Sequence, residues 1–69
     1  MSDVHTVLFK KRYWTVERAK RWLAEHGLIS PKVHETANFY RFRQIDPKKF
    51  KSFSTIDIQP TIKYVIGYY

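Results

Sequence analysis

In the stretch FYRFRQIDPKKFKSF, residues 39–53, Arg41 and Arg43 alternate with Phe39, Tyr40 and Phe42, and Lys48, Lys49 and Lys51 surround Phe50. Alternation sets both guanidinium groups on one side of an extended chain, roughly 6 to 7 Å apart, close to the separation of successive phosphates. The chemistry on offer is a phosphate clamp, with Phe39 on the same side as a ring that can stack on an unpaired base. A plainer arrangement is open at each position. Phe39 could pack under the loop at 30–36, Asp57 on a neighbouring strand could pair with Arg41 or Arg43, and the lysines could be the solvated rim of a turn anchored by Phe50 and Phe53. A second basic concentration joins Lys10, Lys11 and Arg12 to Arg18, Lys20 and Arg21, with Glu17 the one acid among them. On one side of the domain the two clusters would form a track for a polyanion; on opposite sides they would only solubilise. The chain has no base-reading motif, so contact with DNA or RNA would be directed at the backbone and weakly selective for sequence.

Other chemistries are poorly served. His5, His26 and His34 lack the short, regular spacing of a metal site, and the chain has no cysteine to supply thiolate ligands or disulfides. Gly27 and Gly67 are too far apart for a glycine-rich phosphate loop. His34 and Glu35 could be read as a base with an orienting acid, but catalysis also needs a nucleophile or activated water in a concave pocket. A chain of 69 residues has little room for one. No enzymatic activity, cofactor or metal is expected.

Length and composition set the frame for these side chains. A 69-residue chain makes one small domain, 1–69, which hides only about 60% of the surface its unfolded chain exposes. Without disulfides, the 17% aromatic content must supply the core from few residues. Thirteen Lys and Arg against six acids give a net charge of +7, a field that draws in nucleic acid, anionic membrane or acidic proteins. No run approaches the ~20 apolar residues of a membrane span, and MSDVHTVLFKKRYW lacks the order of a signal peptide. The expectation is a soluble protein of a reducing compartment with no membrane partner.

The elements follow from periodicity. Residues 4–9, VHTVLF, are β-branched and aromatic and predict a strand, with Val7 and Phe9 on one face and Leu8 on the other. Thr15 predicts a helix N-cap, Glu17 suits the first turn, and Val16, Ala19, Trp22, Leu23 and His26 recur at helical spacing until Gly27 and Pro31 end the run. Residues 38–44 alternate, with Tyr40 and Phe42 opposed to Phe39, Arg41 and Arg43. A short helical turn is expected over 47–51, after Asp46. Residues 55–59, with Ile56 and Ile58 inward, and the alternation of Ile62, Tyr64, Ile66 and Tyr68 with Lys63, Val65 and Gly67 predict an antiparallel hairpin broken at Pro60. The fold class is α+β: one helix, about 15–26, packed on an antiparallel sheet of three to four strands in the order β-α-β-β-β. Tyr64, Tyr68 and Tyr69 suit the edge of a homodimer as well as a core.

Trp14 and Thr15, Ala19, Trp22 and Leu23, Glu35 and Thr36, Tyr40, Phe42, Arg43 and Gln44, and then Ile62, Val65 and Gly67 form a pattern that spans nearly all of the chain after Lys10. That pattern resembles a small domain of tailed-phage and other DNA-virus proteins, where it accompanies head-morphogenesis and prohead-protease sequences. His34 stands where the pattern has an acid. The resemblance implies a virus- or provirus-encoded protein of the host cytoplasm or the virion, and no active site is tied to such domains. Two functions are expected from different classes. One is a basic module that binds nucleic acid through phosphates, using Arg41, Arg43, Lys48, Lys49 and Lys51 with Phe39, and Lys10, Lys11, Arg12, Arg18 and Arg21 as a second patch. The other is a minor capsid or assembly component that binds a viral structural protein through aromatics and an exposed strand edge.

Overall fold

Alternation at residues 4–9 becomes the central strand of a sheet in the computed structural model, which describes residues 1–46, 48 and 50–69. Strand β1 (Ser2–Lys10) is followed by helix α1 (Val16–Glu25) and by strands β2 (His34–Glu35), β3 (Phe39–Arg43), β4 (Ser52–Gln59) and β5 (Ile62–Tyr68). The strands make one antiparallel sheet in the order β2-β3-β1-β5-β4. The α+β class with one helix is as expected, but the sheet has five strands, not three or four. The added strand is β2. Its two residues are exposed and too few to show a period of two; pairing of His34 with Arg41 and of Glu35 with Tyr40 makes it a strand. The helical turn expected over 47–51 and the contact assigned to Lys49 fall on or across residues outside the described set. Among the described residues no helix is long and apolar enough to cross a membrane.

Pairing sorts the side chains into two faces. Val7 lies between Phe42 and Tyr64, and Phe9 between Tyr40 and Ile62. On this face α1 sets Ala19 and Leu23 against Val7, Phe9, Phe42 and Ile62, and all six are fully buried. Phe9 is the centre: Trp14, Trp22 and Phe42 meet its ring edge to face, with centroids 5.0, 5.7 and 5.6 Å away. Such pairs add about 0.5–1.5 kcal/mol each beyond the area they bury. The Trp14 indole N–H donates to Thr61 Oγ1 at 2.9 Å, so its polar end is satisfied beside the core.

Both ends of α1 are built as the sequence predicts. Thr15 Oγ1 accepts from the Arg18 amide at 3.2 Å. Gly27 has φ of 69°, and the Leu28 and Gly27 amides donate to the carbonyls of Leu23 (2.9 Å) and Ala24 (3.3 Å), a left-handed stop. His26 is not part of the buried stripe; it is exposed and stacks on the Trp22 ring at 3.7 Å. Ile58 packs against the core as expected, but Ile56 is 45% exposed. A helix of ten residues is about 15 Å long and about 10 Å wide. Five strands span about 19 Å, so α1 covers the strands around β1 and leaves Ile56 on the edge strand β4 uncovered.

The opposite face is closed at one end only. Phe50 is buried and lies on Gly67, where a Cβ would collide with its ring carbons. Gly67→Ala is expected to lower the unfolding free energy by about 1–3 kcal/mol in chemical denaturation, because ring and methyl cannot share the space. Phe50→Ala also destabilises, through lost burial and a void. Combined, the two should cost less than their sum, since truncating the ring makes room for the new methyl; strictly additive losses would show that the contact is not what requires glycine.

Candidate nucleic-acid interface

Residues that alternate with the core point away from α1. Lys10 pairs with Phe39, and a row crosses the sheet from His34 through Arg41, Leu8 and Lys63 to Asp57. The next row runs from Arg43 through Thr6 and Val65 to Thr55. Arg41 and Arg43 are exposed, and neither forms an ion pair among the described residues. Asp57, the partner that the plainer arrangement offers one of them, sits at the far edge of the sheet and binds Lys63 across the β4–β5 pair at 3.2 Å. The strands β1 and β5 lie between β4 and β3, which is why that pairing fails.

A β-bulge between Val4 and Thr6 turns His5 toward the closed end of this face. Its ring lies 5.8 Å from Phe50 and 5.1 Å from Phe53, and Phe50 in turn meets Tyr69 at 5.0 Å. Tyr69 donates its hydroxyl to Asp3 Oδ2 at 2.7 Å, which raises its pKa above the ordinary tyrosine value. His5 Nδ1 is 2.7 Å from Thr6 Oγ1, while Nε2 is buried with no hydrogen-bond partner among the described residues. Burial holds this imidazole below the usual histidine range, and the charges of Arg43 and Arg41 push the same way against a smaller opposing effect of Asp46. The histidine is therefore a neutral part of an aromatic cap, with the arginines beside it.

The second basic cluster is divided between the two sides of the sheet. Lys10, Arg41, Arg43 and Phe39 belong to the side away from α1. Lys48 and Lys51 are exposed in the connection whose Phe50 closes one end of that side. Arg18 and Arg21 ride on the helix, behind the sheet; the Arg18 guanidinium lies 5.1 Å over the Trp14 ring and donates to the Tyr13 carbonyl at 3.2 Å. Lys11 and Arg12 stand at the end of β1. Lys11 is taken up by Glu35 at 2.9 Å and by the Thr36 carbonyl at 3.3 Å. Arg12 lies 5.9 Å over the Tyr13 ring.

Two depressions lie along the β3 side. A cavity of about 500 Å³ is lined by Lys10, Lys11, Arg12, Tyr13, Ala37, Asn38 and Phe39. A shallower one of about 290 Å³ brings Arg43 together with Lys32, His34 and Asp46. Sequence reasoning did not select Tyr13, Lys32, His34 or Lys63 as contact residues. Only Tyr13 and Lys63 carried a signal, the first by following three cations and the second by its outward position in the last alternating run. His34 and Lys32 arrive through the pairing of β2, which had no periodic pattern to announce it. Among the described residues no cluster of His, Cys, Asp or Glu has the makings of a metal site.

The His5 environment has a consequence for pH. A histidine whose pKa is lowered by folding binds fewer protons folded than unfolded, so its contribution to stability is intact above 6.5 and is lost as pH falls from 6.5 through the folded value. The thermal midpoint is expected to fall in that window, and His5→Leu should flatten the slope there. An unchanged slope in the variant would show that His5 is not the titrating group.

Neither a protein-family model, nor a curated protein, nor a solved structure matches this chain.

Proposed function

We propose that this chain is a non-enzymatic, virus- or provirus-encoded module that binds nucleic acid through its phosphates, with the sheet face away from α1 as the contact surface. One observation carries the reading: Lys10, Arg41 and Arg43 stand on one face without ion-pair partners among the described residues, although Glu35 and Asp57 pair with other lysines. Guanidinium groups two residues apart on β3, roughly 6.6 Å from one another along the strand, suit adjacent phosphates, and Arg binds such oxygens in a fork. Lys48 and Lys51 extend the surface. Arg18 and Arg21 face the other way and add to the long-range attraction of a +7 chain. The resemblance of Trp14 through Gly67 to a domain of tailed-phage proteins supports the viral setting, in the host cytoplasm or the virion.

A second reading rests on a different feature. The edge strand β4 has no partner on its outer side among the described residues, and Phe53 and Ile56 on it are 47% and 45% exposed. Such an edge suits addition of a strand from a capsid protein or from a second copy, which would make the chain an assembly component of a virion.

Titration against duplex DNA, single-stranded DNA and RNA at several salt concentrations separates the two. Phosphate binding predicts that log K falls linearly with log salt, by about 0.9 per contact on duplex DNA. Arg41→Ala combined with Arg43→Ala should reduce that slope by roughly 1.8 on the same basis and leave the thermal midpoint nearly unchanged, because both side chains are exposed and form no ion pair among the described residues. Binding that survives the double substitution with its slope intact would remove this face from the interface. Failure to bind any nucleic acid at physiological salt would favour the strand-edge reading.

A further inference from the structure

Of the two depressions, the cavity at the end of β1 is the one lined by aromatic rings and free of lining carboxylates. One wall is the turn that carries Lys11, Arg12 and Tyr13, closed by the Tyr13 and Trp14 amides donating to the Lys10 carbonyl at 3.0 and 3.1 Å. The other is the turn before β3, closed by Thr36: its amide donates to the Phe39 carbonyl at 2.9 Å, and its hydroxyl accepts from the Phe39 amide at 3.1 Å. A bond from the Lys11 amide to the Asn38 carbonyl, 3.0 Å, ties the walls together. The cavity is thus held open by backbone hydrogen bonds on both sides.

Its lining combines two functions. Tyr13 is 53% exposed and Phe39 half-buried, so two rings bound the space with surface to offer. Lys11 is neutralised by Glu35, which leaves Lys10 and Arg12 as the cations without an ion-pair partner among the described residues. A volume of about 500 Å³ lies within the roughly 300–1,000 Å³ of small-molecule sites. Flat π surface beside two cations fits a nucleobase carrying its phosphate. In a duplex the faces of a base are covered by its neighbours; in a single strand they are free to stack on a side chain. Phe39 and Lys10 also begin the row that continues along β3 to Arg41 and Arg43, so a strand gripped by the arginines passes the mouth of this cavity.

We propose that the cavity between Tyr13 and Phe39 takes an unpaired nucleobase, with Lys10 and Arg12 on the adjoining phosphate, so that the domain prefers single-stranded nucleic acid. The proposal rests on the phosphate-binding reading above and specifies its ligand. Fluorescence anisotropy of the full chain with labelled oligothymidylate, oligouridylate and an abasic oligonucleotide of equal length tests it. The abasic strand keeps the phosphates and lacks the bases, and the two homopolymers distinguish DNA from RNA. The base-bearing strands should bind about 5- to 150-fold more tightly than the abasic one, the range of a stacked base on an aromatic side chain. Tyr13→Ala, at an exposed position, should abolish most of that difference while the abasic strand still binds through Lys10, Arg41 and Arg43, even though Arg12 loses the ring it lies over. Equal affinity of wild type for base-bearing and abasic strands overturns the inference alone. So does binding that is lost with Arg41→Ala and Arg43→Ala yet indifferent to Tyr13→Ala. Absence of binding to every strand overturns the phosphate reading and this one with it.

Discussion

The ring of Phe9 is the contact through which helix and sheet become one body. It is fully buried near the C-terminal end of β1, the middle strand, and Trp14, Trp22 and Phe42 reach it from the turn before α1, from α1 itself and from β3. A domain of this size with no disulfide has few ways to hold its one helix in place. Once Phe9 faces α1, the pleat commits Leu8 and Lys10 to the other side, and pairing with β3 commits Arg41 and Arg43 with them. A slip of one residue in that pairing would bury the arginines and expose Phe42. The orientation of the basic face is therefore set by the packing of an aromatic core that it never touches.

Collecting cations on one face has a modest cost. Two unit charges about 6.6 Å apart repel by roughly 0.6 kcal/mol at the dielectric constant of water, less with salt. Exposure keeps that cost low for Arg41 and Arg43. Where the face is dry, the chain uses uncharged groups instead: Phe50 on Gly67, and a histidine held neutral. Placing His5 next to two guanidinium groups costs little because it carries no charge in that state.

Much of this was legible from the order of residues. Thr15 and Gly27 marked both ends of the helix, Val7 with Phe9 and Tyr40 with Phe42 marked the core sides of two strands, and the outward direction of Arg41 and Arg43 followed from the same alternation. What was not legible depended on contacts between distant segments. Strand β2 is two residues long and exists through its hydrogen bonds to β3. The pairing of Asp57 with Lys63, and not with the Arg41 or Arg43 it could have met, is decided by strand order, and strand order leaves no trace in local periodicity. Ile56 was read as inward from a correct alternation, but how far a short helix reaches across a wide sheet is a matter of dimensions, not of pattern. The cavity beside Tyr13 needs two turns, far apart in sequence, to meet.

The pleat of β3 leads to one more consequence. In FYRFR the positions that build the core and those that face outward strictly alternate, and Arg41 and Arg43 are restrained neither by burial nor by ion pairs among the described residues. Replacement at 41 or 43 can therefore change what the surface recognises without asking the interior to repack, whereas replacement at 42 cannot. The freedom ends where the aromatic cap begins, because Gly67 and Phe50 are matched in shape. On the proposed reading, a lineage carrying this domain could exchange one polyanion for another, or for an acidic protein, by altering side chains on the middle and β3 end of the sheet, while the cap end stays fixed.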